Sequence, residues 1–275
     1  MDNRPNAGWL EAGLSCDHWV SSCPLFNVPG VDGTNISPDY MHNMFLGWLQ
    51  YLYGSIIYLL VFVLLVGSPL SKLSQVEAFI RSHQKNNDVK YKYKHRLTKL
   101  SMFLRKTGYP RLRGRASDIM GLHHAMLDVW KAHMQEENVH HRRIRLLLDL
   151  NHQIANLLDE FHPRYGYLAV PEHEHKKLMT KGLSMAQLHS QILEHFKDEG
   201  TKVFNMTSKT HFALHSLQLA VYIHPALVWC FKGESTMHSM QYIWKSCLPG
   251  TKHFGVSVKA AWKYRHLMHI RDAKL

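Results

Sequence analysis

Cysteine is scarce in this chain. Cys16, Cys23, Cys230 and Cys247 are the only four in 275 residues, too few and too scattered for a disulfide framework. Cys16-Asp17-His18 with Cys23 lacks the ligand spacing of a zinc finger, so free thiols in a reducing compartment are expected. Residues 1–23 contain no basic stretch followed by an apolar core, the pattern of a secretory signal peptide. Internal repeats and low-complexity tracts are also absent. Apolar residues are not lacking: they make up 45% of the chain, which excludes wholesale disorder and leaves material for a substantial core.

Acidic residues are missing from one region in particular. Residues 81–115 carry twelve Lys/Arg against the single acid Asp88, whereas residues 1–70 carry one cation, Arg4, against five acids. The chain as a whole has a formal charge of +12 with its 22 histidines neutral. A concentrated positive field suits a polyanion, either nucleic acid through counterion release or an anionic membrane surface. A solvated helix face accounts poorly for so one-sided a balance.

Charge of either sign is absent from Met44 to Pro69. This span meets the ~20-residue requirement of a transmembrane helix, and cations crowd its C-terminal side as the positive-inside rule asks. Against a bilayer stand Gln50, Gly47, Gly54 and Ser55 inside the span and the tyrosines of its first third. A helix packed on all sides by protein is also apolar all round. A buried core helix is the preferred reading, with a single-pass span at about 46–66 as the alternative.

The rest of the chain reads as overwhelmingly helical. Residues 1–38 are loop-rich, with a short strand near Thr34–Ser37. Helices are expected over Ser71–Lys85, through Leu97, Leu100, Phe103 and Leu104 until Gly108 and Pro110, and from a Ser117 cap through Trp130. Others follow at Val139–Phe161 and at about 184–197, 208–222, 235–247 and 256–270. Aromatic and methionine stripes are read as core. The pairs His123-His124 and His140-His141 and the run Glu172–His175 are read as solvent-facing or locally hydrogen-bonded.

Two blocks carry chemistry. In the first, a Pro38-Asp39 turn feeds the apolar span and places Asp39 and His42 three apart at its start. That carboxylate can hold a hard divalent cation or simply cap the helix. In the second, His211 and His215 stand four apart, a spacing that puts two side chains on one helix face, upstream of Trp229-Cys230-Phe231-Lys232-Gly233-Glu234. The first block, Asp39 to Gly47, resembles the Asp-x-Met-His-Asn-x-x-Leu-Gly segment of TNP2-like, CACTA-type transposases. The second is similar to that family's His-x-x-Leu-His and Trp-x-Phe-x-x-Glu segments. The resemblance runs from about Pro24 to Gln241.

What the resemblance implies is specific. The fold would be the mainly α, incomplete C-terminal portion of a ribonuclease-H-like DDE domain with a large helical insertion. Asp39 and Glu234 would be two of three metal-holding acids, serving Mg or Mn in a two-metal strand transfer, with His42, His211 and His215 lining the site. The 194 residues between the two acids would be the insertion. Residues 1–38 would precede the aspartate block and buried helix of 39–70, with the insertion at 71–207 and the glutamate block at 208–275. Upstream of Asp39 only Asp2, Glu11, Asp17 and Asp32 are available, without room for three preceding strands. The first catalytic acid is therefore expected to be missing.

Three functions follow. The first is a transposase-derived DNA-binding remnant in the nucleus, a homo-oligomer being compatible with it. Lys90, Lys92, Lys94, Arg96, Arg111, Arg113 and Arg115 would neutralise phosphates, and the interleaved Tyr91, Tyr93, Phe103 and Tyr109 would stack on unpaired bases. The second is a single-pass membrane protein with a basic cytoplasmic domain. The third is a non-catalytic helical interaction module.

Overall fold

The computed structural model describes residues 37–87, 92–105, 108–249 and 255–272. Among them the chain is mainly helical and contains no strand. The strand expected at Thr34–Ser37 lies, except for Ser37, outside the described residues.

The apolar span forms one continuous helix, α1 (Met41–Leu64). Its first eight and last five residues are wound as the wider π-helix. It ends where Leu65 turns extended and Gly67 takes a φ of +119°, a conformation open to glycine. Ser68 then caps α2 (Pro69–Asn86), accepting from the Ser71 N–H, with proline at the first helical position. Leu73, Val76, Ile80 and His83 form the buried face of α2.

No regular helix forms through Leu97–Leu104. Only a 3-10 turn, Leu100–Met102, is present. The carbonyls of Met102 and Phe103 accept instead from the N–H groups of Arg113 and Arg111, each at 2.7 Å. Tyr93, Leu97, Phe103 and Leu112 are buried as separate plugs. Tertiary burial overrides the helical spacing.

Among the described residues, four longer helices and two short ones follow in the first unit. α3 (Ala116–Met120) is capped at Arg115, with Ser117 inside it rather than at its start. α4 (His123–His133) buries Met126, Val129 and Trp130, and α5 (Val139–Glu160) begins at an Asn138 cap. α6 spans Glu172–Asp198 and α7 Ser208–Gln218, followed by the single turn α8 (Pro225–Val228). α6 starts well before the expected residue 184, because Glu172 and Glu174 in its first turn suit the positive helix end. His175 reaches across from that turn to donate to the carbonyls of Leu217 and Gln218.

α1 is the core of this unit. Trp48 Nε1 donates to His189 Nδ1 on α6 at 2.7 Å, and Asn151 Nδ2 on α5 donates to the Tyr53 hydroxyl at 2.8 Å. Ser55 Oγ accepts from the Phe204 N–H at 2.7 Å. By length and composition α1 could cross a bilayer, yet 72% of its most apolar window is buried inside the protein. The burial stops short of the C-terminal end, where Phe62, Val63 and Val66 are exposed.

The chain divides after Trp229 into two compact units, so the expected 208–275 segment is shared between them. In the second, α9 (Phe231–Cys247) and α10 (Val256–Asp272) pack through Ile243, Cys247, Val256 and Ala260.

Candidate functional site

Asp39 works locally. Its Oδ1 accepts from the Met41 N–H at 3.0 Å, the bond that satisfies an orphan donor at a helix start, and its Oδ2 contacts His42 Nδ1. Both oxygens are thus engaged by protein groups. Among the described residues the carboxylate belongs to no group of three potential metal ligands. This geometry fits a cap with an imidazole clamp. Glu234 lies in the first turn of α9, in the second unit, and its side chain is outside the described set.

The structure does bring the helix of His211 and His215 to the first block. α7 lies along the opening turns of α1, where Ser216 Oγ donates to the Pro38 carbonyl at 3.2 Å. The Lys209 side chain crosses Gly47 so closely that an added Cβ would stand 2.7 Å from it. The glycine that closes the Asp39 block is therefore a contact point for the second block. His211 and His215 face one another, Nε2 to Nε2, at 2.9 Å. His215 Nδ1 donates to Gln218 Oε1, so its Nε2 accepts the His211 proton, and the pair is a hydrogen-bonded couple on the α7 surface.

The basic stretch forms a strap across α1. Gln50, a polar intrusion in the apolar span, is its anchor: Oε1 accepts from Arg111 Nε at 2.6 Å, Nε2 donates to the Gly114 carbonyl at 3.2 Å, and its own carbonyl accepts from the Leu112 N–H at 2.9 Å. Gly54 lets the strap backbone touch the helix, since a Cβ there would meet Arg111 N at 2.7 Å. From the other side Arg81 donates to the carbonyls of Tyr93 and His95, both at 2.8 Å.

These bonds sort the expected DNA contacts. Arg111 is taken up by Gln50, by the Leu46 carbonyl and by the Tyr51 ring, so it builds the strap and is not a free phosphate ligand. Lys92, Lys94, Arg96, Arg113 and Arg115 are exposed, as are Lys99 and Arg105, which the sequence reading did not single out. Among the described residues none of these seven is paired with a carboxylate. Lys90 and Tyr91 lie outside the described residues. The stacking role expected of Tyr93 and Phe103 is overturned: both are fully buried, and the Tyr93 hydroxyl donates to the Arg113 carbonyl at 2.8 Å.

The sequence reading also missed a cavity of about 360 Å³, lined by Tyr40, Met44, His123, His152, His224 and Trp229 among others. Burial, with the neighbouring imidazoles of His152, His124 and His83, lowers the pKa of His123 to about 4. Burial does the same for His224, whose Nε2 donates to the Leu158 carbonyl at 3.0 Å. Five histidines, His123, His124, His152, His162 and His224, gather around this cavity. The pair His123-His124, read from sequence as solvent-facing or locally bonded, meets His152 from 29 positions away, His123 Nδ1 to His152 Nδ1 at 2.8 Å. Comparison of the chain with protein-family models, curated proteins and solved structures gives no match.

Proposed function

We propose that this chain is a transposase-derived DNA-binding protein, the remnant of a two-metal DDE enzyme that grips DNA through the strap at 92–115. The observation that carries this reading is the strap itself. Seven exposed cations ride on a backbone pinned to α1, and no acid occurs between residues 89 and 117. The packing of α7 on the Asp39 block is what two segments of one ribonuclease-H-like site with a helical insertion would need. Strand cleavage is not ascribed to this chain, because the first of the three acids has no counterpart upstream of Asp39 with room for its strands. Nuclear localisation follows from the DNA reading. The burial of α1 favours that reading over a membrane span at 46–66.

With Tyr93 and Phe103 in the core, Tyr109 is the one expected stacking residue left part-exposed among the described residues. Recognition rests chiefly on phosphate contacts, which carry no sequence information. Affinity for duplex DNA should then be strongly salt-dependent and nearly independent of sequence. Each phosphate contact contributes about 0.9 to the slope of log K against log salt. Reversing Lys92, Lys94, Arg113 and Arg115 to Glu should weaken binding, measured by fluorescence anisotropy, and flatten that slope by ~3–4. An unchanged slope in a folded variant would reject the strap as the DNA surface.

A further inference from the structure

His83, near the end of α2, meets His124 and Asp128, one turn apart on α4. One nitrogen from each imidazole and one oxygen of Asp128 all lie within 4.8 Å of one another. Asp128 Oδ2 stands 3.3 Å from His83 Nδ1 and 3.4 Å from His124 Nε2. The two rings meet edge to face, at 86° with centroids 4.6 Å apart.

We propose that His83, His124 and Asp128 bind a divalent transition-metal ion of the zinc class. The distances argue for it. Metal–nitrogen and metal–oxygen bonds of about 2.0–2.1 Å place the ligands of a tetrahedral ion about 3.3–3.4 Å apart, the two separations seen here. The donor set selects the class: imidazole suits zinc and its neighbours, whereas magnesium and calcium prefer oxygen ligands. Hydrogen bonding alone accounts poorly for the placement of His83. Its side chain is 6% exposed, and its Nδ1 has only long contacts, 3.3 Å to Asp128 Oδ2 and 3.4 Å to Asn87 Nδ2. Its other nitrogen, Nε2, is buried without a partner among the described residues.

Three protein ligands leave a fourth position, the arrangement of zinc sites that also hold water or a small ligand. His124, one of the three, also lines the cavity described above. The site also joins α2 to α4, the helices on either side of the strap, and a bound ion would clip the two ends of that segment together. This inference does not rest on the DNA reading. The sequence signal was the His124-x-x-x-Asp128 spacing, which places both on one helix face. It lacked His83, forty-one positions away.

Cobalt(II) is the probe, because four-coordinate cobalt absorbs strongly in the visible and six-coordinate cobalt weakly. The full chain, stripped with chelator, is titrated with cobalt and then with zinc. The expected result is one equivalent of four-coordinate cobalt, displaced by zinc. His124 and Asp128 are 43% and 33% exposed, so H124Q and D128N should fold as the parent does, checked by circular dichroism. Each should lose the band or weaken cobalt binding at least tenfold. A variant lacking both His211 and His215 controls for the exposed imidazole pair and should keep the band. The proposal is overturned if the parent gives no four-coordinate band, if the band survives both H124Q and D128N, or if it is lost only with His211 and His215.

Discussion

The imidazole of His189 has no exposed surface. It accepts from Trp48 at Nδ1 and donates from Nε2 to the carbonyl of Phe204 at 2.9 Å, which fixes one neutral tautomer. Burial lowers its pKa from 6.5 to about 4. The unfolded chain therefore takes up a proton near pH 6.5 that the folded chain refuses until about pH 4. Stability is complete above the unfolded value and falls as the pH drops through that window, by up to about 1.4 kcal/mol per pH unit for each such group. His123 and His224 share the direction. Urea midpoints should fall steadily from pH 7 to pH 5, and His189→Gln should make that fall shallower. A flat profile would show that these imidazoles are not neutral and buried. Residues whose partners are near in sequence, such as Asp39 with His42, were legible as pairs. His189 was not, because its partner Trp48 lies 141 positions away.

At the scale of elements, α1 and the strap make one structural pair. The apolar run made the helix legible, and Gln50, Gly54 and Ser55 stood out in it as polar or small intrusions. What the sequence could not supply was the reason for each: Gln50 and Gly54 hold the strap, and Ser55 holds Phe204, whose φ of +57° is unusual for a bulky residue. The Leu97–Leu104 spacing suggested a helix because periodicity cannot register that Phe103 and Leu112 are buried from an extended chain. Gly54→Ala tests the pairing. In an exposed helix this change would stabilise by up to about 1 kcal/mol. Here the new methyl meets strap backbone at 2.7–2.8 Å, and overpacking of this kind costs ~1–3 kcal/mol. A lower melting temperature together with weaker DNA binding is expected. Stabilisation, or unchanged DNA affinity, would uncouple the strap from the helix.

Across the whole molecule, cations are nearly absent before residue 70 and crowd residues 81–115, and that asymmetry was plain in the sequence. The partners of α1 were not, because they come from α5, α6, α7 and the Phe204 turn, far along the chain. This ordering has a consequence for synthesis. Ser55 waits 149 residues for Phe204, which at ~5–20 residues per second is about 7–30 s. Until the strap and α4 emerge the ribosome presents a helix of membrane-spanning length with little to cover it, and its cover stays incomplete until the Phe204 turn is made. Stalled nascent chains ending shortly after α1 has emerged should crosslink to the factors that capture hydrophobic segments, and chains extended past α7 should not. Equal capture at both lengths would refute this. The helix that defines the finished fold is thus, for much of its birth, chemically indistinguishable from cargo for the membrane, and late-arriving helices must reclaim it before a translocon does.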